Sequence, residues 1–241
     1  MTVLFIGAHP DDEMFAGGTL AKHSRAGDRV AIITLTRGGM GHRTMETKAL
    51  KALRAKEAHA AASVLGVELR LLDYPDGGIA SFAREAEIEL AAHIRELRPD
   101  LIITLSNETF HPDHNAVHDI ALKAVYTATL PKLDLKGLPA YTAPRVLAIA
   151  DDLYRRHGVY VNIRETIDIK IEAAGCHASQ YGDWLMQGGS AIDGGLDTME
   201  YREAFRARAR VYGGHCGVEY AEAFDDLLLR RPVALLNLQN A

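Results

Sequence analysis

Two short stretches gather side chains that could do chemistry: Gly7-Ala8-His9-Pro10-Asp11-Asp12-Glu13 and Phe110-His111-Pro112-Asp113-His114. Each mixes imidazoles with carboxylates, the nitrogen and oxygen donors that suit a divalent transition metal. A catalytic zinc takes three such protein ligands and leaves a fourth position to water, whereas structural zinc is closed by four ligands rich in cysteine. Neither stretch contains a cysteine. Water at such an ion is acidified toward neutrality, a carbonyl oxygen there is polarised, and a carboxylate that is not a ligand can take the proton of the water. Helix capping by Asp would account for the first stretch by itself. It accounts for neither the recurrence of the pattern nor the histidines.

These side chains need elements to bring them together. Val3 to Ile6 is a β-rich run ended by Gly7, and Met14 to Ala26 has helical periodicity that stops at Gly27-Asp28. Strand Arg29 to Thr36, a glycine-rich loop over Arg37 to His42 and a helix over Glu46 to Leu65 follow, with Gly66 placed as that helix's C-terminal cap. Strand Glu68 to Leu72, helix Ala83 to Leu97, strand Leu101 to Leu105 and helix His114 to Ala128 complete the alternation. The expectation is a Rossmann-like α/β fold, a doubly wound and mostly parallel sheet with helices on both faces. In such sheets ligands bind outside the carboxyl ends of strands, where both stretches lie.

The core is expected over about residues 1–150 of a single domain. Residues 151–241 form a small mixed C-terminal extension that completes the fold and the pocket. Strand Val146 to Ala150 closes the core, and the extension holds strand Val159 to Ile163, helix Ile167 to Ser179, a glycine-rich loop Gly188 to Gly195, and helix Met199 to Tyr212. No repeat or low-complexity tract interrupts this order.

Composition narrows the partners. A formal net charge of −5 and the lack of a basic stripe argue against nucleic acid. No run of about eighteen apolar residues exists to span a membrane, so a cytoplasmic location is expected. Cys176 and Cys216 are too few for a disulfide framework and read as reduced thiols. His23, His59, His93, His118 and His157 lack partners at ligand spacing and read as surface or packed histidines.

The paired motifs Ala8 to Glu13 and His111 to His114 resemble those of PIG-L/LmbE-type zinc-dependent N-deacetylases, and the resemblance covers most of the chain. It implies that His9, Asp12 and His114 bind zinc, with iron(II) or another divalent ion as the alternative, and that Asp11 is the general base. It implies further that His111 is a cationic donor to the oxyanion and that Asp113 holds it in place. Thr36 to Gly41, the Arg54-x-x-Glu57 helix and the turn Asp73-Tyr74-Pro75-Asp76-Gly77 are also similar to family segments, which makes Arg54 and Asp76 candidate sugar-binding residues. Lys170 through His177 to Gln180 is similar to a segment that shapes the pocket in relatives. Two departures stand out: Thr109 where some relatives have a tyrosine, and the basic Arg37 and His42 in the glycine-rich loop.

The function implied by this similarity is hydrolysis of an N-acetyl group from an amino sugar or an N-acetylglucosaminyl conjugate by water activated at the ion. A small-molecule substrate and a homo-oligomer go with it. An amidase acting on a low-molecular-weight thiol conjugate would use the same residues. A non-catalytic sugar- or nucleotide-binding module is the reading from another class, although the first loop lacks the Gly-x-Gly-x-x-Gly pattern that cradles a dinucleotide.

Overall fold

A computed structural model of the chain describes residues 1–181 and 201–227. Among the described residues seven strands form, β1 (Thr2–Gly7), β2 (Arg29–Thr34), β3 (Glu68–Leu71), β4 (Leu101–Thr104), β5 (Val146–Ile149), β6 (Val159–Asn162) and β7 (Ala221–Asp226). They form one sheet in the order β3-β2-β1-β4-β5-β7-β6. The first five are parallel, while β7 runs antiparallel to both β5 and β6. The expected mostly parallel α/β sheet is therefore present, and the extension enters it as a mixed edge.

Strands covered on both faces must be apolar throughout, and Val3, Leu4, Phe5 and Ile6 of β1 are all fully buried. The helices are α1 (Gly17–Arg25), α2 (Thr47–Leu65), α3 (Ala83–Leu97), α4 (Pro112–Ala128), α5 (Ile167–Gly175), α6 (Ala178–Tyr181) and α7 (Tyr201–Cys216). The helices α1, α2 and α5 pack together, and α3 lies along α4. Because right-handed crossovers leave β1 in opposite directions, these two groups cover opposite faces of the sheet. The reversal opens a crevice between the ends of β1 and β4, the place where such sheets bind ligands.

Local chemistry explains the main boundaries. The Glu46 carboxylate accepts the Ala49 amide at 3.0 Å to begin α2, and Gly66 ends it in the left-handed conformation at φ 70°. The helix expected from Met14 starts later than periodicity alone predicts, because Asp12–Phe15 closes as a 3-10 turn before α1. Gly18 then lets α1 approach the residue that follows β6: a Cβ there would lie 2.8 Å from the Ile163 side chain. The helix expected over Ile167 to Ser179 breaks after Gly175 into α5 and α6.

The last strand is the element that sequence reasoning missed. Ala221-Glu222-Ala223-Phe224-Asp225-Asp226 carries little β-propensity, yet it sits between β5 and β6 with Glu222 buried. That carboxylate accepts the amides of Gly18 at 2.9 Å and Thr19 at 2.7 Å, and Lys170 Nζ lies 2.7 Å away. A buried ion pair to α5 and two hydrogen bonds from the start of α1 thus replace the apolar pattern a strand would show. The loop Gly188 to Gly195 and Met199 lie outside the described residues. No helix among the described residues is long and apolar enough to cross a membrane.

Candidate active site at the switch point of the sheet

The loop after β1 is wound tightly at Gly7, where a Cβ would lie 2.9 Å from the Phe5 ring and 3.1 Å from Asp12 Cβ. This close turn folds the Asp12 carboxylate back onto its own loop. Oδ2 accepts the amides of Ala8 at 2.7 Å and His9 at 2.8 Å, leaving Oδ1 to face His114 Nε2 at 3.1 Å. Burial alone would raise the Asp12 pKa, but the charges of His114 and His9 and their hydrogen bonds hold it well below the usual carboxylate range.

The second loop delivers its imidazoles through the first turn of α4. His111 is the N-cap, its Nδ1 accepting the Asp113 amide at 3.3 Å, and Pro112 fills the first helical position where no amide is needed. His114 follows on the next residues of the same turn. The rings of His9 and His114 have centroids 5.4 Å apart, and His111 stands 4.8 Å from His9 and 4.5 Å from His114. Three imidazoles from two loops therefore share one point.

These donors fit a divalent ion. Asp12 lies between His9 and His114, with Oδ2 3.9 Å from His9 Nδ1 and Oδ1 near His114. The ring nitrogens of His9, His111 and His114 lie within 4.8 Å of one another, and so do donor atoms of His9, Asp76 and Asp113. His9 belongs to both groups. Its Nε2 faces Asp76 Oδ1 at 3.1 Å and Asp113 Oδ2 at 3.4 Å, the carboxylate contact that metal-bound histidines commonly make through their other nitrogen. Burial would lower the His9 pKa, yet Asp113, Asp76 and Asp12 override it and carry it up to about 10. Three carboxylates around one imidazole mark a place that favours positive charge.

Several expected contacts differ in the structure. The Asp113 carboxylate does not reach His111: it accepts the amides of Gly77 at 2.7 Å and Ile79 at 3.3 Å and turns its remaining capacity to His9. What holds His111 is the Asp113 backbone N–H, because the ring serves as the helix cap. A ring that accepts at Nδ1 carries its proton on Nε2. Burial, together with the charges of His9 and His114, lowers the His111 pKa.

Arg54 and Asp76, expected at the sugar, are engaged within the protein. Arg54 is only 2% exposed. It donates to Pro10 O at 2.5 Å, Asp11 Oδ1 at 3.0 Å and Gly38 O at 3.1 Å. Asp76 accepts the Met40 amide at 2.8 Å as well as facing His9, and burial notwithstanding, these partners bring its pKa down to about 2. Thr109 accepts the His111 amide at 2.9 Å and so shapes the loop. His42 accepts the amides of Thr44 and Met45 within its own loop.

Asp11 has a backbone that L-residues rarely adopt, at φ 120°. Such a conformation costs on the order of 1–3 kcal/mol and persists only where its surroundings fix it. Arg54 holds its side chain, and its amide donates to Glu13 Oε2 at 2.9 Å. Burial pushes the Asp11 carboxyl up, against the opposing charge of Arg54.

Sequence reasoning left Glu13 without a role. Its other oxygen meets His177 Nε2 at 2.8 Å, and both side chains are buried. Nearby, Ser179 donates to Glu57 from its amide at 2.8 Å and its hydroxyl at 2.7 Å, while Gln180 reaches Gly41 O at 3.3 Å. The His177 to Gln180 segment thus braces the first motif, α2 and the glycine-rich loop together. Only the similarity of that segment to relatives signalled it, since no periodicity links residues so far apart. Four histidines outside the motifs have partners of their own: His23 pairs with Asp28, His118 with Leu105 O, His157 with Asp225, and His215 with the Tyr160 hydroxyl. Cys176 and Cys216 are free thiols.

Known proteins resemble the chain in sequence and in fold. The chain is 30% identical over 190 residues to a protein of Bacillus cereus named probable N-acetyl-alpha-D-glucosaminyl L-malate deacetylase 2, covering 74% of this chain and 83% of that one. It is 30% identical over 162 residues to the 1D-myo-inositol 2-acetamido-2-deoxy-alpha-D-glucopyranoside deacetylase of Kineococcus radiotolerans, covering 52% of this chain but 45% of that one. The chain spans about half the length of several inositol-type relatives it matches. Among solved structures, N,N'-diacetylchitobiose deacetylase from Pyrococcus horikoshii superposes with a TM-score of 0.80 at 26% identity, over 94% of this chain and 83% of that one. The sequence model described as PIG-L: GlcNAc-PI de-N-acetylase matches residues 4–125, a span that holds both histidine motifs, and the chain belongs to that family.

Proposed function

We propose that this protein is a metal-dependent hydrolase that removes the N-acetyl group of an amino sugar or an N-acetylglucosaminyl conjugate. The observation that carries the reading is Asp12 standing between His9 and His114, with Asp11 fixed beside it in the crevice. His9, Asp12 and His114 would hold the ion, and zinc is the preferred identity for two nitrogen donors and one oxygen donor. When bound, the ion supplies Lewis acidity toward the acetamide carbonyl and lowers the pKa of a water.

The remaining work belongs to side chains. Asp11 accepts a proton from the attacking water and returns it to the departing amine. His111 donates from Nε2 to the carbonyl oxygen as negative charge develops there, a contribution that grows from ground state to transition state. Asp76 and Asp113 orient the His9 ring, and Arg54 orients Asp11. The names of the relatives support an N-acetylated hexosamine as the substrate class.

Acetate release from N-acetylglucosaminyl inositol, N-acetylglucosaminyl malate and diacetylchitobiose, each with and without chelator, tests this reading. Chelator-sensitive release from at least one is expected. Cleavage confined to bulky amides of thiol conjugates would favour the amidase reading, and no hydrolysis of any substrate would sink both.

A further inference from the structure

We infer that His177, far from the two motifs in sequence, is a positioning residue for the reaction, acting through Glu13 on the backbone of Asp11. The inference rests on the deacetylase reading above and deepens it. Asp11 is held in a left-handed backbone region that a non-glycine residue does not occupy unaided. Its amide is fixed by Glu13 Oε2 at 2.9 Å, and Glu13 is fixed in turn by His177 Nε2 at 2.8 Å through its other oxygen.

Burial makes this chain of contacts exacting. Glu13 is 2% exposed and His177 is fully buried, so neither can exchange its partner for bulk water. A buried carboxylate beside Asp11 and Asp12 stays in place only if a donor meets it. His177 is that donor, and the other ring nitrogen, Nδ1, has no hydrogen-bond partner among the described residues. The ring is therefore spent on Glu13 alone. Without it, Glu13 would turn away from its carboxylate neighbours, and the Asp11 amide would lose the acceptor that sets the direction of the Asp11 side chain.

Arg54 provides the second brace, on the Asp11 carboxylate itself. Ser179, two residues after His177, also holds Glu57, one turn along α2 from Arg54. His177 consequently sets orientation and touches neither substrate nor ion. Its loss should lower kcat with little change in KM and none in bound metal.

The test compares His177→Leu, which fills the space without a donor, with His177→Gln, which restores an N–H near Nε2. Acetate release, metal content and melting temperature are measured for each. With wild type active, His177→Leu is expected to lose about 10–100-fold in kcat, the range for groups that support an active centre from outside it. KM and metal stoichiometry should stay at wild-type values, and His177→Gln should recover most of the rate. Equal rates in the two folded variants, or a loss that follows KM or metal content, would overturn the inference while leaving the deacetylase reading intact. Should His177→Leu not fold, Glu13→Gln, which keeps a hydrogen-bonding group at each end, and Glu13→Met, which keeps neither, take its place with the same expected split. A wild-type protein that releases no acetate from any substrate brings down the deacetylase reading, and this inference with it.

Discussion

Asp12 Oδ1 and His114 Nε2 face each other at 3.1 Å across the crevice, joining the loop after the first strand to the first turn of α4. The carboxylate cannot swing away, because its other oxygen is held by the amides of Ala8 and His9. Rigid placement of this kind is what a metal centre needs, since ligands that must be reorganised lose affinity. The same two amides also explain why the motif requires Asp at position 12. A longer Glu side chain could not fold back on its own turn.

Removing either imidazole should therefore empty the centre. His9→Ala and His114→Ala are each expected to weaken metal binding by at least about 100-fold, beyond the effect of losing a supporting group. His59→Ala, which alters a helix residue outside both motifs, should leave metal content unchanged. Metal analysis after dialysis checks this, and full occupancy in His114→Ala would remove His114 from the ligand set.

His111 offers a different signature. Its Nδ1 is committed to the Asp113 amide, so only the Nε2 proton is available to a substrate oxygen. Removing an oxyanion donor costs about 10²–10³ in turnover. His111→Ala should show that loss while retaining its metal, and it should also lose a helix cap, about 1 kcal/mol by analogy with other caps. His111→Asn can cap α4 and is expected to recover stability without recovering rate. A stable, fully active His111→Ala would contradict the assignment.

Gly38 tests whether Arg54 acts as a brace. Its φ is +63°, and a Cβ there would lie 2.2 Å from Arg54 Nη1, so the guanidinium runs where any larger residue would put its side chain. Gly38→Ala should destabilise the fold by about 1–3 kcal/mol through backbone strain alone. It should also push Arg54 off Asp11 and lower kcat. Denaturant unfolding and steady-state rates check both effects, and a neutral result in both would mean that Arg54 has room to move.

Much of this was legible in the sequence because the physics is local. Val3 to Ile6 is apolar at every position, as a strand covered on both faces must be, and Gly66 ends α2 where it was expected to. The histidine motifs stood out because they repeat the same donors at two strand ends. Contacts made between distant segments were not legible. β7 carries three acidic residues among its six, and Glu222 is tolerated inside only because Lys170 and the amides of α1 meet it. The family resemblance implied that Asp113 holds His111 in place. The helix they begin turns the carboxylate to His9 and the loop at Gly77 instead. The pairing of Glu13 with His177 spans 164 residues and has no periodicity to betray it.

The edge strand β3 carries the turn that presents Asp76, and its anchor to α3 should be sensitive to acid. Arg70 grips Glu96 through two hydrogen bonds of 2.8 Å, and these, opposed only in part by burial, bring the Glu96 pKa down to about 2. A carboxylate whose folded pKa is depressed contributes stability above its unfolded value, about 4.3, and loses that contribution as pH falls through the folded one. The Glu96 side chain is half exposed, so the full shift overstates its worth, and under about 1 kcal/mol is expected. Glu96→Gln should be less stable than wild type at pH 6, with the gap closing between about pH 4 and pH 2. High salt should narrow the gap at pH 6, because solvent-exposed charges are screened. A difference that stayed constant across that acid range would mean that Glu96 acts through packing rather than through its charge.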